Sequence, residues 1–123
     1  MNLLLFGFEN SGKIHFGKLL ALQMERPFIE IDEMIDLKGV ENAIIALGGE
    51  IVLDPQNVEA LQKIGALVFL RVKKNSDWQM VQEREPIYRS IPARCIDIDA
   101  LDEAGVLAAL KSILLLDDHP NGL

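Results

Sequence analysis

The chain has 123 residues, half of them hydrophobic and a quarter charged, with a formal net charge of -7 and a single cysteine, Cys95. That length builds one ordinary domain around one core, so a single domain over residues 1–123 is expected, with a flexible tail at 116–123. The acidic balance repels phosphate backbones and anionic membranes at long range, which argues against nucleic acid or a lipid surface as partner, and one cysteine excludes an intramolecular disulfide or a cysteine-based metal cluster.

The N-terminal MNLLLFGF has neither a basic start nor a small-residue cleavage site, and no apolar run is long enough to span a bilayer. The cytoplasm is the expected location. The first apolar run, residues 2–6, reads as a strand. GFENSGKI, residues 7–14, follows it and precedes a helical pattern with Phe16, Leu19 and Leu20 on one stripe and Met24 a turn further on, closed by Pro27. FIEI at 28–31 is the second strand, the acidic stretch EMIDLKG follows, and AIIAL at 43–47 is the third. Asp54 and Pro55 start the next helix, Asp as cap and Pro pre-set for the first turn. Val58 and Leu61 give that helix its inner face and Gly65 its end. ALVFL at 66–70 is apolar throughout, as a central parallel strand should be. Ser76 with Gln79 makes a capping box for a helix carrying Trp78 and Val81. Beyond Pro86, ARCIDID at 93–99 is the last strand, alternating enough to sit at an edge. A final helix over about 101–116 carries Val106, Leu107, Leu110, Ile113 and Leu114 before the polar tail DDHPNGL. Apolar runs alternating with helices predict an α/β fold: a five-stranded parallel sheet covered on both faces.

GFENSGK between a strand and a helix has the form GxxxxGK. In that context the backbone N–H groups and the helix N-terminus converge on one anion, and the lysine neutralises it. The residue after the lysine is normally Ser or Thr, whose hydroxyl coordinates the magnesium accompanying a nucleoside triphosphate. Here it is Ile14, which has no oxygen to offer.

Four stretches in this order, LLLFGFENSGKIHFGKLLA, RPFIEIDEMI, IIALGGEIVLDPQNVEAL and EREPIYRSI, together resemble the shikimate kinases, small members of the nucleoside monophosphate kinase-like phosphate-loop group. The resemblance implies a three-layer P-loop fold and a nucleotide site at Gly7, Asn10, Ser11, Gly12, Lys13 and Ile14, with ATP and magnesium as cofactors. It implies that Lys13 holds the triphosphate and neutralises charge developing in transfer. Asp32 matches the carboxylate that binds the shikimate hydroxyls and can take up the proton of the attacking one. Gly48 and Gly49 match the first two members of a Gly-Gly-Gly turn against the substrate, and Arg84 matches the arginine that pairs with its carboxylate.

The chain also departs from that pattern. Glu30 stands where the family has an aspartate that reaches the metal through water, and Glu50 replaces the third glycine, setting a carboxylate beside a site meant for a carboxylate. Residues 33–42 are too few for the helices that form most of the shikimate pocket, and residues 72–83 too few for a lid that closes over ATP. An arginine brought in by such a lid contributes on the order of 10³ to 10⁵ in rate. The expected function is therefore binding of ATP, ADP or phosphate with impaired or absent transfer to shikimate. The alternatives are an active shikimate kinase and a non-catalytic interaction module. Single residues have plainer readings: Asp32 and Glu30 as solvated caps, Arg84 as a surface partner of Glu83 or Glu85, His15 as a solvent-facing side chain, Trp78 as core. A shortened acceptor region should leave apolar surface near residues 33–42, and a homodimer would cover it.

Overall fold

The computed structural model describes residues 1–72 and 78–118, with the side chains of Trp78 and of residues 116–118 not described. Five strands, β1 (Asn2–Phe6), β2 (Phe28–Ile31), β3 (Ile44–Leu47), β4 (Gly65–Arg71) and β5 (Arg94–Asp97), form one sheet in the order β2-β3-β1-β4-β5. Every pairing is parallel. Four helices connect or follow them: α1 (Lys13–Met24), α2 (Pro55–Gln62), α3 (Trp78–Ser90) and α4 (Glu103–Asp118).

Side chains of period two divide the core into two layers. Leu3 and Leu5 of β1 face α1 and α4 and pack with Phe16, Leu20, Leu110 and Leu114. Leu4 and Phe6 face α2 and α3 and pack with Leu61, Tyr88 and Ile91. Strands buried on both faces must be apolar at every position, which is why β1, β3 and β4 carry almost nothing else. β5 lies at an edge, as its alternation predicts, with Ile96 inward and Arg94 and Cys95 exposed.

The element boundaries differ from the sequence expectations in four places. α1 ends at Met24 because Glu25 takes the left-handed conformation at φ 54°, so Pro27 follows the helix without terminating it. Gly65 does not end α2 but begins β4, beside Asn2, whose carbonyl leaves no room for a Cβ. β5 stops at Asp97 and gives way to a 3-10 turn, Ile98–Ala100, and α4 starts only at Glu103, its first turn capped by the Asp102 carboxylate accepting from the Gly105 amide at 2.7 Å. α3, whose end the sequence leaves open, runs through Pro86 to Ser90, although a proline there cannot donate to the preceding turn. The Ser76 end of the proposed capping box and His119 of the tail lie outside the described residues.

Residues 33–42 form no helix or strand. Met34, Leu37 and Val40 nevertheless turn onto the core below α2, and Ile35 is the exposed large apolar residue of the segment. The uncovered patch expected there is thus largely closed by the segment itself. Asn2 fixes its far end: its amide donates to Val40 and Ile64 carbonyls at 2.7 and 3.0 Å and its oxygen accepts from the Ala43 amide. Among the described residues no helix is long and apolar enough to cross a membrane.

Candidate functional site

β1 is the point at which the strand order reverses, with β3 on one side and β4 on the other. In open α/β sheets the crevice at the carboxyl ends of the strands beside such a point is where ligands sit. Here that crevice is a cleft of about 330 Å³ between the glycine-rich loop, the end of β2 and the turn after β3.

The loop is shaped by its two glycines. Gly7 has φ 149° and a Cβ there would stand 2.5 Å from the Leu70 carbonyl oxygen; Gly12 has φ 83° and caps α1 in the left-handed conformation. Between them Glu9–Ser11 make one 3-10 turn. From Gly12 the chain enters α1, where the Phe16 amide makes the first helical bond, to the Gly12 carbonyl at 2.8 Å. The amides of Lys13, Ile14 and His15 precede it and find no acceptor among the described residues. The helix dipole adds partial positive charge at the same place.

Lys13 is only 7% exposed. Its ammonium donates to the Gly7 and Leu47 carbonyls, both at 3.0 Å, and no carboxylate among the described residues forms an ion pair with it. Burial lowers its pKa below the ordinary 10.5; Glu9 opposes this, Arg84 adds to it, and Asp32 and Glu30 oppose it more weakly. A buried ammonium with no carboxylate partner among the described residues, beside three amides with no acceptor there, fits a phosphate group, which would supply both the missing acceptors and the missing charge.

A magnesium ion is less well provided for. Ile14 lines the cleft, 41% exposed, where a hydroxyl would be needed. No three His, Cys, Asp or Glu side chains among the described residues are arranged to hold a metal. The cleft offers the carboxylates of Glu9, Glu30 and Asp32.

Of the residues singled out in the sequence, the structure brings Gly12, Lys13, Ile14, Glu30, Asp32, Gly48 and Gly49 to the walls of one cleft. Gly7 lies beneath it and takes part through its carbonyl; Asn10 is exposed on the loop, and Ser11 is buried with its hydroxyl unbonded, against Gly7. Asp32 and Glu30 are exposed at the end of β2 and cap no helix, since none follows. Arg84 reaches the edge of the cleft from α3, its Nη1 placed 3.3 Å from where a Cβ on Gly49 would be. It pairs with neither neighbour in sequence: its Nη2 is 3.3 Å from Glu50, while Glu85 pairs with Arg71 at 2.7 Å. His15 is exposed and bonded to Glu103 at 2.7 Å, which leaves it out of the cleft.

Two residues of the site were not picked out by sequence reasoning. Glu9 lines the cleft from inside the loop, and only its position within GFENSGK signalled it. Tyr88, fully buried, donates its hydroxyl to the Gly49 carbonyl at 2.7 Å and fixes the turn after β3. Burial raises the pKa of its phenol above the ordinary 10.0, partly offset by Arg84.

No family model matches the chain. Among curated proteins it is 26% identical to the shikimate kinase of Hahella chejuensis over 164 residues, covering 92% of this chain and 85% of that one. That alignment is longer than the chain, so it passes over internal segments with no counterpart here. The match to the shikimate kinase of Syntrophus aciditrophicus is 29% identical over 98 residues and spans 56% of this chain but only half the length of that relative. Among solved structures, the shikimate kinase of Aquifex aeolicus superposes with a TM-score of 0.74 at 18% identity, over the whole of both chains. In sequence over most of its length, and in fold, the chain is similar to the shikimate kinases.

Proposed function

We propose that the chain binds ATP, ADP or a phosphate group at the glycine-rich loop and transfers phosphate to shikimate poorly or not at all. The observation that carries this reading is the buried Lys13 ammonium, held by two carbonyls and, among the described residues, no carboxylate, beside the three amides of α1 that find no acceptor there. When bound, the nucleotide supplies the phosphoryl group. Lys13 would exchange its carbonyl partners for phosphate oxygens, and Asp32, exposed across the cleft, would accept a hydrogen bond or proton from an acceptor hydroxyl. A solved shikimate kinase from Acinetobacter baumannii in complex with shikimate shares the fold at a TM-score of 0.66 and 19% identity, and the YorR protein of Bacillus subtilis in complex with phosphorylated GDP shares it at 0.68 and 11%. The second lends support to a phosphate-bearing ligand in this architecture, and the first to a small hydroxylated one.

Poor transfer is argued from the acceptor side. No helix or strand stands between β2 and β3, so little encloses a bound acceptor, and Ile14 removes a direct ligand to magnesium. Water then competes as nucleophile. The retained Lys13, Asp32 and Arg84 favour the second reading, a working shikimate kinase. Thermal melting with ATP, ADP or phosphate, with and without magnesium, tests the binding, because a ligand of the folded state raises the midpoint. No shift at millimolar nucleotide would overturn it and favour an interaction module. A coupled ADP-release assay with shikimate separates the two kinase readings: vigorous turnover absent in Lys13→Ala would establish the second.

A further inference from the structure

The turn after β3, which abuts the loop at the Gly7 carbonyl, carries its own anion. The Arg84 guanidinium is fixed by α3 and by the close approach of Gly49, where a Cβ would meet Nη1 at 3.3 Å and the Tyr88 hydroxyl at 3.0 Å. Glu50, the residue after that glycine, turns its carboxylate back onto the same guanidinium, Oε1 lying 3.3 Å from Nη2. The arginine is 23% exposed and the glutamate 81%, so the cation belongs to the protein wall and the carboxylate covers it from the solvent side.

Charge decides what can follow it there. Among the described residues the cleft has two cations in reach, Lys13 and Arg84, and carboxylates at Glu9, Glu30 and Asp32 besides Glu50. Lys13 faces the loop, where an anion would use it. With Arg84 neutralised by Glu50, the remaining wall is formed by Glu30 and Asp32 and is negative. A ligand carboxylate would have to displace Glu50 or stand beside those two without a cation of its own. A hydroxyl meets no such conflict, since both carboxylates at the end of β2 accept hydrogen bonds.

We propose that this part of the cleft takes a small uncharged polyol, and that Glu50 sets this specificity by occupying Arg84 and excluding molecules that bear a carboxylate. The proposal rests on the reading of the same cleft as a phosphate-binding site and concerns the part of it walled by Glu30, Asp32 and the turn after β3. Shikimate and its methyl ester test it, because they present the same ring hydroxyls and differ by one charge. Each is titrated into the 123-residue chain, saturated with ADP, and followed by amide chemical shifts, for the natural sequence and for Glu50→Gln. The natural chain should bind the ester about tenfold more tightly than the acid, equivalent to about 1.4 kcal/mol. Glu50→Gln should tighten the acid about tenfold and leave the ester within about twofold. Equal affinities in the natural chain, or a variant that moves both probes alike, would overturn the proposal. If neither probe binds while ADP still raises the melting midpoint, the acceptor assignment falls and the nucleotide reading stands. If the probes behave as expected but ADP gives no shift, the nucleotide reading falls and the specificity of Glu50 stands.

Discussion

The ammonium of Lys13 lies 3.0 Å from the carbonyl oxygen of Leu47, so the first residue of α1 is tied to the end of the neighbouring strand β3. The bond holds a buried charge in the only way open to it without a carboxylate, and it is the bond a phosphate would replace. Lys13→Met keeps the alkyl chain and removes the charge. The variant is expected to fold, with a melting midpoint within a few degrees of the natural chain, and to lose the upward shift with ADP. In the natural chain that shift corresponds to about 2.7 kcal/mol at a hundredfold excess over Kd. A full ADP shift retained by Lys13→Met would remove the lysine from the site.

The pH dependence of binding follows from the same burial. Desolvation leaves the free-state pKa of Lys13 below the ordinary lysine value of 10.5. A phosphate group favours the charged form, so it raises that pKa on binding, and affinity must fall as pH rises through the lowered free-state value. The fall should appear at a pH below the ordinary lysine value of 10.5, where exposed lysines are still largely charged. The linkage to stability has the opposite sense. A lysine with a depressed folded pKa binds more protons unfolded than folded within that window, so its contribution to stability rises with pH there. Calorimetry of ADP at several pH values is the check, with Lys13→Met as control, in which the alkaline loss should be absent.

Much of the fold is legible in the sequence because its causes are local. The uninterrupted apolar runs of β1, β3 and β4 announce strands buried on both faces, and Asp54-Pro55 announces α2, whose cap the structure shows as Asp54 accepting from the Gln56 amide at 2.9 Å. What was not legible depends on contacts between distant residues. Gly65 looks like a helix terminator until Asn2 is seen beside it. At the site, Arg84 has a glutamate on either side in sequence, yet α3 turns Glu85 toward Arg71 and leaves Arg84 to Glu50, 34 residues away. No spacing rule reports that pairing.

Ile14→Ser tests whether the missing hydroxyl limits the metal. The side chain is exposed at the cleft wall, so exchanging it for serine costs little packing. A hydroxyl here would add one oxygen to a cleft whose present donors are carboxylates, and magnesium accepts a single protein ligand alongside its waters. Magnesium-dependent nucleotide binding is expected to strengthen about tenfold, while binding without magnesium stays the same. An unchanged affinity in magnesium would mean that something other than Ile14 limits the ion.

Tyr88→Phe isolates the hydrogen bond that sets the turn after β3. The ring sits edge-on to Phe6, Phe8 and Phe69 with centroids 5.3 to 5.7 Å away, and phenylalanine preserves all three contacts. What disappears is the donor to the Gly49 carbonyl, an acceptor only partly reachable by water. A loss of about 1–2 kcal/mol is expected, equivalent to a fall of several degrees in melting midpoint for a chain of this size. The loop amides and Lys13 are untouched, so the ADP shift should persist in size. Shikimate and its ester should both bind more weakly, because Gly49 carries Glu50 with it. An unaltered midpoint would show that water or another donor serves the Gly49 carbonyl equally well, and that the turn holds its shape without the phenol.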